Sequence, residues 1–404
     1  IHKSIVTIYK FLIKRISMKQ KLYTSIGLMS GTSMDGVDAS VIQTDGKSNY
    51  KAILDKYFEY PQAIYKQLTK LRDKIKSSKD LKKFSKEIKN VEKEITLFHA
   101  KAVHQILKRT KVNLNFIGFH GQTIYHNAKE KISKQLGDGK LLSKITKKTV
   151  VYDFRQNDLQ NYGDGAPLAP IFHELLIKKF KIRLPVIILN IGGIANVTSI
   201  DKEKNMLCAD IGPGNCLIDK WIRDKSKKKY DKNGKIAKSG KTSLKNIKRM
   251  IKEFEELQHS NESNGVSTFD VKDFDISYLK DLSLKDGAAT ITNFTGNIIG
   301  KDIASYIADK YIEDKRLAQW QVLVCGGGRK NKELIESIEK SIGIQNMLID
   351  NFKSIDTFAI DGDFVESQAF GYLAVRSYLK LPISFPETTG CKKPTTGGKI
   401  IKFK

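Results

Sequence analysis

The residues best suited to chemistry lie in a turn between two apolar runs, within "IGLMSGTSMDGVDASVI" (26–42). Its glycines let backbone N–H groups approach an anion, and the hydroxyls of Ser30, Thr32 and Ser33 can donate to phosphate oxygens. Asp35 can hold a metal ion through water. The turn lacks the Lys of a P-loop and the GxGxxG of a dinucleotide fold. It predicts a different anion site, although a plain hairpin turn explains this stretch alone equally well.

Three further turns repeat this composition. "NIGGIANVT" (190–198) joins two apolar runs, and "ADIGPGN" (209–215) places Asp210 beside glycines. "VLVCGGGRKN" (322–331) follows an apolar run, and an adenine or ribose can lie on its glycines because no side chain intervenes. Each turn can be ordinary on its own. Their recurrence in separate halves of the chain favours a phosphorylated ligand.

Two histidines in "GFHGQTIYH" (118–126) raise the question of a metal site. Their spacing on a predicted strand and turn does not match the i, i+4 helical zinc pair, and no Cys lies near. We therefore expect His120 and Gln122 to line a pocket through hydrogen bonds, with an ordinary packed turn as the alternative.

The elements that must position these residues alternate between strand and helix. The pattern predicts a hairpin over 23–42, helices over 60–108, strands at 112–119 and in "KTVVYDF", and a strand–turn–strand over 184–200. Residues 223–263 are expected to be solvated helix and loop, followed by a helix over 288–317, a buried strand "WQVLVCGGG" and a last helix over 366–379. This order indicates an α/β protein.

Composition narrows the class of protein. The 404 residues carry a net charge of +27, but only ten of the 71 basic residues are Arg and the Lys are spread along the chain. This distribution disfavours nucleic-acid binding. No stretch approaches the ~20 apolar residues of a membrane span, and four cysteines without CxxC spacing favour a reduced compartment, so a cytoplasmic location is expected. Residues 1–21 are expected to be an N-terminal extension, disordered or upstream of the natural start, with a short basic anchor as the alternative.

Eight motifs together resemble the anhydro-N-acetylmuramic acid kinase family, within the actin/Hsp70/hexokinase-type ATPases. They occur in order from Ile26 onward: "GLMSGTSMDGVDAS", "GFHGQTIYH", "DFRQNDLQNYGDGAPLAP", "LNIGGIANVT", "DIGPGNCLID", "DGAATITNFT", "CGGGRKN" and "ESQAFGYLAVR". The resemblance implies a kinase that opens the 1,6-anhydro bridge of this amino sugar with water and phosphorylates O6, in cell-wall sugar recycling. ATP and Mg²⁺ are the implied cofactors, and a homodimer is an implied assembly.

The implied fold has two lobes, each with an RNase H-like sheet, and a nucleotide cleft between them. Lobe I is expected to comprise 22–150 and about 367–404, with the first phosphate hairpin and part of the sugar site. Lobe II is expected to comprise 151–366, with the catalytic Asp, the second hairpin and the adenosine site.

The resemblance also implies roles for individual residues. The implied nucleotide-binding residues are Gly31, Thr32, Ser33, Met34, Asp35, Gly36, Val37 and Asp38 in the first hairpin, Asn190, Gly192 and Gly193 in the second, and Gly326, Gly327 and Gly328 at adenosine. The implied sugar-binding residues are His120, Gln122, Asp164, Gly165, Ala166 and Pro167. Asp35 and Asp210 are the implied neighbours of Mg²⁺.

Asp158 matches the family's catalytic base, and it precedes a small-residue turn stiffened by prolines. Asp153 is the alternative base, but it follows an apolar strand and can instead pair with Arg155. Glu366 matches a second family carboxylate near the sugar, although a Glu at a helix N-terminus is also favoured by the helix dipole. Asp164 replaces the family's usual Gln, which adds a negative charge beside the pocket.

Two other classes of protein remain to be tested. An actin- or Hsp70-like ATPase shares the phosphate hairpins, but it has no use for "DFRQNDLQNYGDGAPL" and hydrolyses ATP equally well without sugar. A basic nucleic-acid-binding protein would bind DNA or RNA with steep salt dependence. The chain has no clustered Arg with interleaved aromatic residues to support that class.

Overall fold

The computed structural model of the protein describes residues 21–263, 266–267, 269, 273–313, 319–343 and 349–403. The predicted N-terminal extension therefore lies outside the described residues, apart from Lys21. The last residues of the helix predicted over 288–317 also lie outside them.

The described strands form two large sheets. The first, with seven strands, contains β1 (Tyr23–Ser30), β2 (Gly36–Thr44), β3 (Tyr50–Glu59), β4 (Phe116–Asn127), β5 (Ile132–Leu136), β6 (Thr149–Tyr152) and β14 (Lys399–Ile401). The second, with five strands, contains β7 (Val186–Ile191), β8 (Ile194–Ile200), β9 (Met206–Pro213), β12 (Trp320–Cys325) and β13 (Ile349–Ser354). A small ribbon pairs β10 (Glu262–Ser263) with β11 (Val266–Ser267).

Both sheets share one topology. In the first, β1, β2 and β3 form an antiparallel meander, and β4 and β6 continue parallel to β1 on its other side. In the second, β7, β8 and β9 form the meander, and β12 and β13 continue parallel to β7. The repeated order 3-2-1-4-5 is that of an RNase H-like sheet. The predicted α/β fold with one such sheet in each half is confirmed.

Helices pack around these sheets. They are α1 (Gln62–Lys74), α2 (Ser78–Lys83), α3 (Ser85–Thr110), α4 (Gly139–Thr146), α5 (Gln156–Gln160), α6 (Pro170–Lys179), α7 (Cys216–Lys225), α8 (Lys235–Lys238), α9 (Leu244–Asn261), α10 (Leu284–Glu313), α11 (Lys332–Ile342), α12 (Val365–Tyr378) and α13 (Pro386–Thr389). Short 3₁₀ turns lie at Lys232–Gly234, Ser277–Leu279, Gly327–Lys330 and Ile355–Phe358. No described helix has both the length and the apolar character needed to cross a membrane.

Helix α12 lies unusually close to the first sheet because two strand residues lack side chains. A Cβ on Gly27 would lie 1.8 Å from the Ser367 carbonyl oxygen, and one on Gly118 would lie 2.1 Å from that of Phe370. Nearly every residue of the helix is buried. This packing fixes the N-terminal half of the helix, which includes Glu366, against β1 and β4.

A shared apolar cluster joins the two sheets. It combines Tyr50 of β3, Phe172 of α6, Ile188 of β7 and Tyr372 of α12, all less than 9% exposed. Burial of such large side chains is the main source of stability at a contact of this kind. The boundaries drawn for the two lobes stay predictions, while β6 pairs in the first sheet and α12 packs on it.

Two predictions about elements were wrong in part, one in the bounds of a strand and one in the burial of a helix. The strand expected over 112–119 begins at Phe116 and runs to Asn127, because pairing with β1 and β5 extends it beyond its apolar core. The solvated segment expected over 223–263 includes α9, whose Ile247, Met250 and Phe254 are buried in the core of the second sheet. The Lys-rich residues before the helix dominate the composition of the segment and concealed this apolar stripe.

Candidate active site

The two hairpin turns singled out in the sequence meet face to face. A Cβ on Gly193 would lie 2.1 Å from Oγ1 of Thr32, so the two turns touch where Gly193 has no side chain. The second turn is held from behind, because the N–H of Gly214 donates to Gly193 O at 2.9 Å and that of Asn215 to Gly192 O at 2.8 Å. Backbone from both sheets thus converges on one place.

The residues of the first hairpin divide into two groups. Thr32, Ser33 and Asp35 are exposed and Gly31 is half-buried, whereas Met34 and Val37 are 2% and 0% exposed and belong to the core of the first sheet. The Ser33 hydroxyl donates to Asp35 Oδ1 at 2.7 Å. Met34 and Val37 therefore have only their backbone to offer a ligand, and Gly36 packs against Tyr57 and Phe58 of β3.

Gln122 connects the first turn to the predicted sugar pocket. It is 0% exposed, and its Nε2 donates to the carbonyl oxygen of Gly31 at 2.9 Å. Its Oε1 is buried and accepts no hydrogen bond from the protein. Buried polar atoms are almost always satisfied, so this acceptor is a candidate for a ligand donor.

Arg155 organises the polar centre of the site. Its NH1 donates to Gly165 O at 2.8 Å, and its NH2 donates to His120 Nε2 at 2.9 Å. His120 Nδ1 lies 2.8 Å from Gly121 O, so that nitrogen carries the proton and the ring is neutral. Burial, with the nearby Arg155 charge, lowers the pKa of His120 well below its ordinary value. His120 is thus a fixed acceptor.

Two hydrogen-bond donors hold the Asp158 side chain in place. It is 1% exposed; the N–H of Gly165 donates to Oδ2 at 2.7 Å and the Thr389 hydroxyl donates to Oδ1 at 2.7 Å. A Cβ on Gly163 would lie 2.2 Å from Oδ2, so the turn wraps closely around this carboxylate. Each oxygen keeps one lone-pair direction for a further donor, such as water.

Asp164 lies beside Asp158 in the same turn. It is 4% exposed, and its Oδ2 is buried without a hydrogen-bond partner. Burial, and secondly the Asp158 charge, raises the pKa of Asp164 to about 6. Gly165, at φ +73°, and the cis Ala166–Pro167 peptide complete the turn. A buried carboxyl group with a raised pKa beside a second carboxylate is a candidate part of a functional site.

Asp153, the alternative base, has surroundings different from those of Asp158. It pairs with Lys399 at 2.7 Å and lines a cavity of about 370 Å³ together with His120 and Gln156. Asp158 is not part of that lining. The arrangement matches the ion-pairing alternative considered for Asp153, although its partner is Lys399 rather than Arg155.

Carboxylates from both sheets surround Arg155. Burial raises the pKa of Glu366, opposed by the Arg155 charge and by a hydrogen bond from the Asn190 side chain. Burial raises the pKa of Asp210 to about 7, again opposed by Arg155. Burial, followed by the charges of neighbouring acids that include Glu366, raises the pKa of Asp38 to about 8. Such clustered perturbation marks candidate functional sites.

The predicted adenosine segment connects to this centre through Asn190. A Cβ on Gly326 would lie 2.4 Å from Asn190 Oδ1, and one on Gly328 would lie 2.2 Å from Ile191, whereas one on Gly327 would meet nothing within 4 Å. Arg329 anchors the segment from outside through ion pairs with Asp356, Asp361 and Asp363. Gly327 therefore offers an open backbone surface.

Asp35 and Asp210, the two residues predicted to lie near Mg²⁺, have different charged neighbours. Asp35 acts electrostatically on Asp38 and Asp219, while Asp210 is influenced by Arg155, Glu366 and Asp164. Among the described residues, no group of three or more His, Cys, Asp or Glu side chains is arranged to hold a metal ion. His126, the other histidine considered, bonds to Ser133 Oγ at 2.9 Å.

Sequence reasoning missed Thr389 and gave Arg155 only a minor part. Thr389 reaches Asp158 across 231 positions of sequence, and no local pattern signals that contact. Arg155 sits within the same "DFRQND" motif as Asp158. An Arg between two candidate carboxylates of one motif was therefore the available signal.

The chain is similar to known proteins over nearly its whole length. The family model described as anhydro-N-acetylmuramic acid kinase matches residues 23–402. A protein of that name from Pelagibacter ubique (strain HTCC1062) is 52% identical over 385 residues, covering 95% of this chain and 99% of that protein. Proteins of the same name from Agrobacterium fabrum and Zymomonas mobilis are each 36% identical, covering 94% and 93% of this chain and 98% and 99% of their own length.

The family match spans both sheets, both facing turns and the Asp158 turn, so it includes every part of the site described above. On this coverage and identity, the chain belongs to the anhydro-N-acetylmuramic acid kinase family.

Proposed function

We propose that this protein is an ATP-dependent kinase that opens 1,6-anhydro-N-acetylmuramic acid with water and phosphorylates O6. The products are N-acetylmuramic acid 6-phosphate and ADP, in recycling of a cell-wall sugar. The observation that carries the proposal is 52% identity to a kinase named for this sugar over nearly the full length of both chains. The facing turns and the enclosed Asp158 support it independently.

The proposed reaction joins two steps at one oxygen. Asp158 takes a proton from water, the water oxygen bonds to the anomeric carbon, and the bond from that carbon to O6 breaks. O6 then bonds to the γ-phosphorus as the bond to the ADP oxygen breaks. The phosphoryl group takes up the charge that a general acid would otherwise neutralise, so one carboxylate base suffices.

The surrounding residues have distinct proposed roles. Arg155 holds His120 and the Gly165 carbonyl in place, so that the polar groups around the sugar are preorganised. Glu366 orients the sugar or the attacking water from the end of α12. His120, Gln122, Asp164 and the 165–167 turn form the proposed sugar pocket, and the unsatisfied oxygens of Gln122 and Asp164 support this assignment.

The nucleotide is proposed to lie between the two facing turns. Backbone N–H groups of 31–38 and of the Gly192–Gly193 turn bind phosphates, Asn190 closes the second turn, and Gly326, Gly327 and Gly328 face adenosine. Open space at Gly327 supports the last assignment. The acceleration beyond the base comes from positioning and charge stabilisation.

Mg²⁺ is the proposed metal, held mainly by the phosphates with Asp35 and Asp210 as nearby carboxylates. A phosphate-bound Mg²⁺ needs only one or two protein carboxylates, so the chain fits without a three-residue cluster. Burial, followed by the charge of Asp35, raises the pKa of Asp38, and a divalent cation would offset that negative charge. The ion would stabilise charge on the transferred phosphoryl group.

The proposed setting is the cytoplasm, where ATP is available, and all four cysteines are free and buried. The proposed partner is the small amino sugar, without nucleic acid or membrane, and a homodimer stays a proposal. The deciding experiment is a coupled assay of ADP release with several anhydro sugars. ADP release that depends on the anhydro-muramic sugar supports the kinase, whereas equal ATP hydrolysis without sugar supports an actin- or Hsp70-like ATPase.

A further inference from the structure

A buried polar chain lies directly behind the first turn. Ser30, the last residue of β1, is 1% exposed, and its Oγ lies 2.9 Å from the Tyr60 hydroxyl and 3.2 Å from His99 Nε2. Tyr60 is 4% exposed and His99 0%. The Ser30 hydroxyl, which the sequence offered as a phosphate donor, is therefore directed into the protein.

The hydrogen bonds that link Tyr60, Ser30 and His99 each have a defined donor and acceptor. His99 Nδ1 lies 2.7 Å from the carbonyl oxygen of Ile95, which can only accept, so Nδ1 carries the proton. Burial lowers the pKa of His99 to about 4, which keeps the ring neutral and makes Nε2 an acceptor. Ser30 must then donate to His99, and Tyr60 must donate to Ser30.

Tyr60 also holds the other end of the turn. Its backbone N–H donates to the carbonyl oxygen of Asp35 at 2.8 Å. One residue thus ties down positions 30 and 35, which bracket the turn proposed to bind phosphates. Its ring packs at 4.9 Å against Phe98 of α3, so the tie is anchored in a rigid helix.

Anion binding by a turn depends on the directions of its backbone N–H groups, and errors of about 1 Å in such sites are costly. We propose that Tyr60, Ser30 and His99 are positioning residues that set the shape of the nucleotide-phosphate turn. This inference rests on the proposed function, in which residues 31–38 bind the phosphates of ATP. None of the three side chains needs to touch the nucleotide.

Tyr60→Phe tests the inference because it removes only the hydroxyl. We expect it to weaken ADP binding, measured by calorimetry, about three- to tenfold, the equivalent of one buried hydrogen bond. Steady-state kinetics should show a higher KM for ATP with an unchanged KM for the sugar. Ser30→Ala removes the middle of the chain and should weaken ADP binding similarly, with less than multiplicative loss in the double variant.

Tyr50→Phe is the matched control. Tyr50 is 6% exposed, and its hydroxyl donates to Gln368 Oε1 at 2.6 Å. It lies at the opposite end of β3, about 30 Å from Tyr60 along an extended strand. We expect a similar fall in thermal midpoint in both variants, but weaker ADP binding only in Tyr60→Phe.

The outcomes separate the inference from the function on which it rests. If wild-type protein binds ADP and Tyr60→Phe and Ser30→Ala bind it equally well, the positioning role is refuted while the kinase proposal stands. Equal weakening in Tyr50→Phe likewise assigns the effect to general destabilisation and refutes the positioning role. Absence of ADP binding by the wild-type protein overturns both.

Discussion

Asp158→Asn is the most direct test of the proposed chemistry, and the structure allows its cost to be worked out. An Asn can direct its oxygen to the Gly165 N–H and its amide group to Thr389, whose hydroxyl can rotate to accept. Both contacts, now 2.7 Å, then persist as neutral hydrogen bonds. Each loses about 1 kcal/mol relative to a bond with a charged group. Relief of repulsion with Asp164 offsets part of this, so we expect a folded protein about 1–2 kcal/mol less stable.

The catalytic cost should be larger than the structural one. Removal of a general base slows a reaction by roughly 10²–10⁴-fold, which corresponds to about 3–5 kcal/mol of barrier. Because the contacts around residue 158 persist, sugar and ADP binding should change little. The loss should therefore appear in kcat and not in KM.

The assay is sugar-dependent ADP release at a temperature well below the unfolding midpoint of the variant. Asp153→Asn is the matched control, since it removes the other candidate carboxylate of the same motif and only a half-exposed ion pair with Lys399. An exposed pair of this kind contributes about 0–1 kcal/mol, and activity should stay within about threefold of wild type. Normal turnover by Asp158→Asn, or the large loss in Asp153→Asn instead, would refute the assignment of the base.

Four further predictions concern the nucleotide turns and the charge cluster. Gly193→Ala places a methyl group against exposed Thr32, so ADP binding should weaken with little loss of stability. Gly327→Ala places a methyl group in open space, so it should weaken ADP binding and leave the thermal midpoint of the ligand-free protein unchanged. The pKa of Asp38 is raised from 3.8 to about 8, so the folded protein retains a proton that the unfolded chain has lost, and its contribution to stability falls as pH rises from about 4 to 8. Asp38→Asn should therefore raise the thermal midpoint more at pH 8 than at pH 5, and equal effects at both would contradict this. Arg155→Lys keeps the charge but loses the two-pronged guanidinium that donates to both Gly165 O and His120 Nε2. The kcat/KM for the sugar should therefore fall at least about tenfold. Unchanged kinetics would refute a role for Arg155 in the site.

Local pattern predicted most of the elements. The hairpin of β1 and β2 and the strands β7 and β12 follow from apolar runs next to Gly-rich turns. These elements and the last helix each lie within a few residues of their predicted bounds. Helix α9 shows where local pattern misled, because the Lys-rich residues before it dominate the composition of that segment, while one apolar stripe of the helix is buried. Strand β4 is longer than predicted because pairing with neighbouring strands, which is not a local property, decides where it ends.

Some features of the site could likewise be predicted from local sequence, whereas others depend on distant residues. Residue types and order identified the turn at 30–36, the second turn at 190–198 and the carboxylates of "DFRQND", because anion binding and base catalysis require those groups close together in sequence. The roles inside the site required distant partners. Asp158 accepts its second hydrogen bond from the distant Thr389, and Arg155 donates to His120 of β4.

By itself, the sequence determined which chemical groups the protein brings to a phosphate and a sugar, since short motifs set backbone conformation and donor types locally. Only the tertiary structure decided that the two turns touch, that Ser30 points inward to Tyr60 and His99, and that Asp158 bonds to Thr389 while Asp153 pairs with Lys399. The physical reason is that burial, electrostatic shifts and hydrogen-bond direction depend on groups far apart in the chain, and packing of the two sheets alone brings those groups together.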